Sequence, residues 1–162
     1  MEPHPDDLLF GVGSIIFDWI KEGHDINFIT VTDGRACYRE TREKLDKETA
    51  NMTEDQVAEM RINEAKKVDE FLGINPKNHY FLLFHDADGQ KYVKEGIKKT
   101  KKIIQDADHR RYHSNKNGYI DHQATHDIAI DAAKELNLKN IEYFVYFIPS
   151  YGKFKEDSKD MQ

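Results

Sequence analysis

Apolar residues recur along this chain in two rhythms, one with helical spacing and one of short unbroken runs. From Leu8 to Glu22 they stand at Leu9, Val12, Ile15, Ile16, Trp19 and Ile20, which predicts a helix closed by Gly23. "DINFITVT" at 25 to 32 is a β-branched run stopped by Asp33-Gly34, the pattern of a buried strand and a turn. Residues 35 to 52 are charged and aperiodic, as expected of a long surface loop. "TEDQ" at 53 to 56 is a capping-box pattern that opens a second helix running to about Leu72 and closed by Gly73. "HYFLLF" at 79 to 84 predicts another strand and "DADG" at 86 to 89 a turn. A third helix is expected from Lys91 to Gln105, a fourth from His122 to Leu136, and a last strand at "IEYFVYFI", 141 to 148.

Helices alternating with short apolar strands imply an α/β layered fold, Rossmann-like, with a mostly parallel central sheet flanked by helices. Two places depart from that pattern. Only Met1 and Glu2 stand before the first helix's loop, so the first strand is expected to be missing and the sheet to have a gap or an exposed edge. Between the third and fourth helices the chain reads "DADHRRYHSNKNG", too polar for a buried strand. The expected organisation is one domain over 1–150 and a disordered tail over 151–162.

Composition narrows the function classes. The 162 residues are 38% hydrophobic and 33% charged, which suits one folded domain rather than a disordered chain. The net charge of −6 argues against nucleic acid or an anionic membrane as partner, since either needs a basic face. Cys37 is the single cysteine, so there is no disulfide framework and no thiolate cluster, and no apolar run approaches the roughly 20 residues of a membrane span. A cytoplasmic location is expected, and a homo-oligomer is left open.

Chemistry concentrates where strands hand over to helices, the edge at which open α/β sheets place their sites. "PHPDD" at 3 to 7 leads into the first helix, "TDGR" at 32 to 35 follows a strand, and so does "HDADG" at 85 to 89; "GYIDHQATH" at 118 to 126 opens the fourth helix. His4, Asp6, Asp7, Asp121 and His122 can therefore converge. Two histidines and one carboxylate would leave an open coordination position on zinc, as hydrolytic sites require. The alternative for Pro5-Asp6-Asp7 is a plain helix cap, carboxylates facing the helix dipole. His122 and His126 also form an i,i+4 pair, but without the glutamate of a "HExxH" helix. His24, His79 and His85 read as structural or exposed, "HRRYH" at 109 to 113 as a solvated loop, and Cys37 as an incidental loop thiol.

Taken in order, these segments resemble the LmbE/PIG-L family of zinc-dependent N-deacetylases. "PHPDDLLFGVG" is similar to the family's signature loop and helix, "TDG" to its second landmark, "RINEAKKVDEFLGI" to its Arg-x-x-Glu helix, and "DHQATH" to its later Asp-His segment. The resemblance implies that His4, Asp7 and His122 hold Zn2+ and that Asp6, beside the metal, is the general base. It implies an amide substrate, a small-molecule N-acetylglucosamine unit or conjugate, with Arg61 and Asp86 where family members contact it. The usual later segment is His-Pro-Asp-His; here Tyr119-Ile120-Asp121-His122 puts Tyr119 in place of the donor to the oxyanion, with Asp121 behind it. Leu8 likewise replaces the acidic residue that often follows "HPDD". The reading is a zinc-dependent hydrolase. Its rival is a zinc- or sugar-binding pseudoenzyme that keeps the ligands without turnover, favoured by Tyr119 as Asp6 favours the enzyme.

Overall fold

The computed structural model describes residues 1–105, 111–114, 118–138, 142–146 and 148. Among the described residues five α-helices and four strands follow one another: α1 (Asp7–Lys21), β1 (Phe28–Thr32), the short α2 (Lys47–Ala50), α3 (Glu54–Leu72), β2 (His79–Phe84), α4 (Val93–Ile104), β3 (Arg111–Ser114), α5 (Ile120–Glu135) and β4 (Tyr143–Tyr146). Strand pairing is parallel throughout, β1 with β2 and β3 with β4. The expected helix-flanked parallel pairing is present, among the described residues as two two-stranded sheets. The tail at 151–162 and His109 of "HRRYH" lie outside the described residues.

Local signals account for most boundaries. Thr53 and Gln56 exchange side-chain and backbone hydrogen bonds in a complete capping box, and Gly73 ends α3 in the left-handed conformation at φ 75°. Every residue of β1 is buried, as its β-branched run requires. Phe28 packs on one side with Leu8, Val12 and Ile16 of α1, and Ile29 and Val31 on the other with Leu82, Phe84, Ile104 and Ile128. The strand thus separates two apolar layers. β2 bulges near its end, where Leu83 takes φ 57° and the register to β1 shifts between Thr30 and Thr32.

Three expectations are corrected. The polar stretch before α5 does contain a strand, β3, because the ladder is made by backbone groups that every residue but proline carries in full. The loop at 35 to 52 contains α2, whose first turn is capped by Asp46 accepting from the Glu48 and Thr49 amides. Ahead of α1, Glu2 forms a parallel bridge to Thr30: the Glu2 amide donates to Ile29 O, Val31 to Glu2 O, and Thr32 to Pro3 O, at 2.9–3.0 Å. A single-residue bridge therefore stands beside β1 at the place where the first strand is expected to be missing. No helix among the described residues is long and apolar enough to cross a membrane.

Candidate active site

The two halves of the site are carried by the start of α1 and the start of α5. Pro3 is buried, and its carbonyl accepts both the amide and the hydroxyl of Thr32, which ties the "PHPDD" loop to the end of β1. The Asp33-Gly34 turn then folds against that loop. Gly34 has φ 70°, and a Cβ there would stand 3.0 Å from Pro5 Cδ, so both conformation and space call for glycine. α5 begins two residues earlier than its apolar pattern suggests, at Ile120, which puts Asp121 and His122 in its first turn.

His4, Asp7 and His122 meet, with one candidate ligand atom from each lying within 4.8 Å of the others. His4 Nδ1 is 2.9 Å and His122 Nε2 3.6 Å from Asp7 Oδ2. Asp7 is fully buried, yet its Oδ1 has no hydrogen-bond partner. Buried carboxylate oxygens are normally satisfied, and two imidazoles beside an orphaned oxygen are the donors a borderline-soft divalent ion takes. The set fits a metal. Burial pushes the His122 imidazole down to about 4, so it is neutral near pH 7 with a lone pair to offer. His126, one turn further on, belongs to neither group of side chains close enough to share an ion.

The other face of His4 meets a second pair of carboxylates. Its Nε2 lies 3.1 Å from Asp86 Oδ1 and 3.7 Å from Asp121 Oδ2. Burial alone would lower the His4 imidazole, but its bonds to Asp121, Asp7 and Asp86 outweigh that and raise it well above its ordinary value. Asp86 in turn is driven up by burial and held far lower by His4 and the Ala36 amide. Backbone donors fix both acids: Asp86 accepts from Ala36 and Ala87, and Asp121 from Ala87 and Gly89, at 2.8–2.9 Å. Asp86 thus faces His4. Metal-bound histidines commonly turn their other nitrogen to a carboxylate in this way. Nothing in the sequence pattern pointed to that contact, which joins residues far apart in the chain.

Asp6 turns away from the ligand cluster, its Oδ2 2.6 Å from Arg61 Nη2 of α3. The two line a groove of about 370 Å³ between α1 and α3, walled further by Pro5, Leu9, Phe10, Glu64, Ala65 and Val68. Its size lies within the range of small-molecule clefts. Tyr119 stands at the mouth of α5 with 55% of its surface exposed, its ring 5.8 Å from that of His122. Of the candidate site residues, His4, Asp7, His122, Asp86 and Asp121 form one cluster, Asp6 on the same loop pairs with Arg61, and the Tyr119 ring lies beside that of His122. Cys37 is exposed but close enough to Arg61, Asp86, Asp6 and His4 to feel their charges, and partial desolvation raises its thiol.

Comparison with known proteins gives the family and the fold. The chain belongs to the PIG-L family, described as GlcNAc-PI de-N-acetylase, which matches residues 1–133. A search of curated proteins gave no significant match. Among solved structures it is similar to an N,N'-diacetylchitobiose deacetylase from Pyrococcus horikoshii, with TM-score 0.71, 20% identity, and coverage of 91% of this chain and 59% of that one. The deacetylase of the antimicrobial A40926 pseudoaglycone gives TM-score 0.73, 21% identity, and coverage of 95% and 65%. A 4-carboxy-2-hydroxymuconate hydratase from Pseudomonas putida KT2440 shares the fold at TM-score 0.60 and 20% identity, over 82% of this chain and 53% of that one. The chain spans roughly three fifths of the length of these structures. At such identities the likeness is one of fold, and a fold hosts more than one chemistry.

Proposed function

We propose that the protein is a zinc-dependent hydrolase that removes an N-acyl group, acetyl in the simplest case, from an N-acetylglucosamine-type substrate. The observation that carries this reading is the meeting of His4, Asp7 and His122 around an orphaned carboxylate oxygen, with Asp6 next to Asp7 on the same loop. His4, Asp7 and His122 would hold the ion, which supplies Lewis acidity toward the amide carbonyl and toward water. The family match and the similar deacetylase structures support the substrate class. The substrate is a small-molecule sugar amide, and a cytoplasmic location belongs to the same reading.

The chain's own groups then have distinct tasks. Asp6 takes a proton from the attacking water and returns it to the nitrogen as the C–N bond breaks, releasing a carboxylate and an amine. Arg61 sets the direction of that carboxylate and borders the groove in which the sugar lies. Asp86 and Asp121 orient His4 through its Nε2. Tyr119 donates a hydrogen bond from its phenol to the oxyanion that develops on the carbonyl oxygen, a task for which electrostatic stabilisation is usually the largest contribution.

A second reading, a zinc- or sugar-binding protein without turnover, is favoured by one observation: the residue in the donor's place is a largely exposed phenol. One experiment separates the two. Metal content of the purified protein is measured together with amine release from N-acetylglucosamine and several conjugates. Zinc with amine release supports the hydrolase; zinc with no release from any of them supports the binding protein; no zinc sinks both.

A further inference from the structure

Helix α1 begins with two aspartates, and neither caps it. Asp6 is the N-cap residue, with φ −159° and ψ −11°, and makes no side-chain bond to the helix. Its carboxylate is on Arg61, while Asp7 Oδ2 faces the backbone amide and ring of His4. The first-turn amides of a helix need acceptors from elsewhere, and an N-cap aspartate normally serves the second or third of them. Here the second, Leu8 N–H, donates to Glu2 Oε2 at 2.9 Å.

Glu2 is buried and held on every side. Its other oxygen accepts the Thr30 hydroxyl at 2.6 Å, Thr30 Oγ1 lies 2.7 Å from His79 Nε2, and His79 Nδ1 lies 2.6 Å from Asp69 Oδ2. Glu2, Thr30, His79 and Asp69 are all buried, and the His79 ring stacks on Phe81 at 3.9 Å. The chain of side chains runs from α3 through β2 and β1 to the start of α1. Backbone bonds to Ile29 and Val31 fix the main chain of Glu2 as well.

We propose that Glu2 is a positioning residue: it caps α1 in place of the aspartates, aimed by Thr30, His79 and Asp69, and so leaves Asp6 and Asp7 free for substrate and metal. What the aspartates do rests on the hydrolase reading above; the cap does not. Remove the Glu2 carboxyl group and Leu8 N–H falls to the N-cap residue Asp6, which must leave Arg61 to serve it and turns its neighbour Asp7 out of the ligand cluster as it does so. Glutamine can replace glutamate here, since its carbonyl accepts from Leu8 while its amide donates to Thr30, whose hydroxyl then turns to His79.

The test compares Glu2→Ala, Glu2→Gln and Ile104→Ala, the last a buried core change in α4 remote from the loop. Hydrogen exchange at the Leu8 amide is followed in the metal-free protein, and zinc affinity by competition with a chelator. Glu2→Ala should lose protection at Leu8 and bind zinc about 10- to 100-fold more weakly, the usual cost of losing a group that orients a ligand. Glu2→Gln should keep both, and Ile104→Ala should lower thermal stability without changing zinc affinity. Unchanged Leu8 exchange in Glu2→Ala overturns the cap. Equal loss of affinity in Glu2→Ala and Ile104→Ala overturns the positioning role and leaves only a structural one. If the parent protein binds no zinc, the hydrolase reading fails, while exchange at Leu8 still decides the cap.

Discussion

Arg61 Nη2 holds Asp6 Oδ2 at 2.6 Å, so the carboxylate next to the ligand loop is tethered to α3 rather than to its own helix. Nε of the same guanidinium is buried with no hydrogen-bond partner. A carboxylate held by a cation, outside the ligand cluster and at the edge of a groove, is placed to exchange protons with something bound there. Asp6→Asn should therefore keep its zinc and lower amine release by roughly the 10²- to 10⁴-fold of a lost general base. Metal analysis and turnover on the same preparation check this. Loss of zinc in that variant would mean that Asp6 and Asp7 have exchanged roles.

The competing ligand pair makes a second prediction. His122 is 1% exposed and faces Asp7, whereas His126 is half-buried one helical turn away. His122→Ala should remove most of the bound zinc and His126→Ala very little. An equal loss in both would transfer the site to the i,i+4 pair on α5.

How far the sequence could be read is clear from particular residues. The capping box at Thr53 and Gln56, the left-handed Gly73 and the fully buried β1 were legible because each is decided within a few positions. The residues that meet in the cluster, His4, Asp7 and His122, were legible as types at the ends of predicted elements. β3 was not, because Arg111–Ser114 carries no apolar signal and is held by backbone pairing with β4. Nor were the partners of the site. Asp86 reaches His4, and Glu2 reaches Thr30 and His79, by contacts between distant stretches that no local pattern encodes. The capping alternative for "PDD" does not hold: neither aspartate bonds to a helix amide, and the carboxyl group that caps the helix start comes from Glu2.

Tyr119 allows the oxyanion donor to be tested in both directions. A phenol is an uncharged donor and donates less strongly than an imidazolium. Tyr119→Phe should lower kcat with little change in KM, because the bond forms only as the carbonyl oxygen gains charge. Tyr119→His should raise kcat above that of the parent if Asp121 can support the new ring. A parent protein whose kcat is unaffected by Tyr119→Phe takes its donor from another group.

Cys37 carries a pH prediction. Cys37 is exposed at the surface, but the groups packed around it partly desolvate its thiol and push it above the ordinary 9.0; Arg61 works the other way, and Asp86 and Asp6 add to the rise. Only the thiolate is alkylated, so a raised pKa leaves less of the reactive form at any pH below it. Iodoacetamide should modify Cys37 more slowly than free cysteine at pH 7.5, with the midpoint of the rate profile above 9.0. A midpoint below that of the free amino acid would contradict the placement of Cys37 among these acids.

Two glycines of α1 lie two positions apart and should respond oppositely to alanine. A Cβ on Gly11 would run into the Tyr146 ring of β4, meeting Cδ2 first, then Cε2 at 2.9 Å and Cγ at 3.1 Å. Tyr146 is buried in the same apolar layer as Leu8 and Val12, so the ring has no free direction in which to yield. Overfilling a packed layer costs about 1–3 kcal/mol. For a domain of about 150 residues or more, each kcal/mol lowers Tm by about 2–4 °C. Gly11→Ala should therefore melt several degrees below the parent. At Gly13 the nearest atoms to an added Cβ belong to Leu9, at 3.8 and 3.9 Å, which is ordinary contact. Glycine within a helix is worth about 0.5–1 kcal/mol less than alanine, so Gly13→Ala should melt at or slightly above the parent temperature. If the two variants melt together, α1 does not rest on β4 through Gly11, and the joint between the "PHPDD" helix and the last strand is looser than this packing requires.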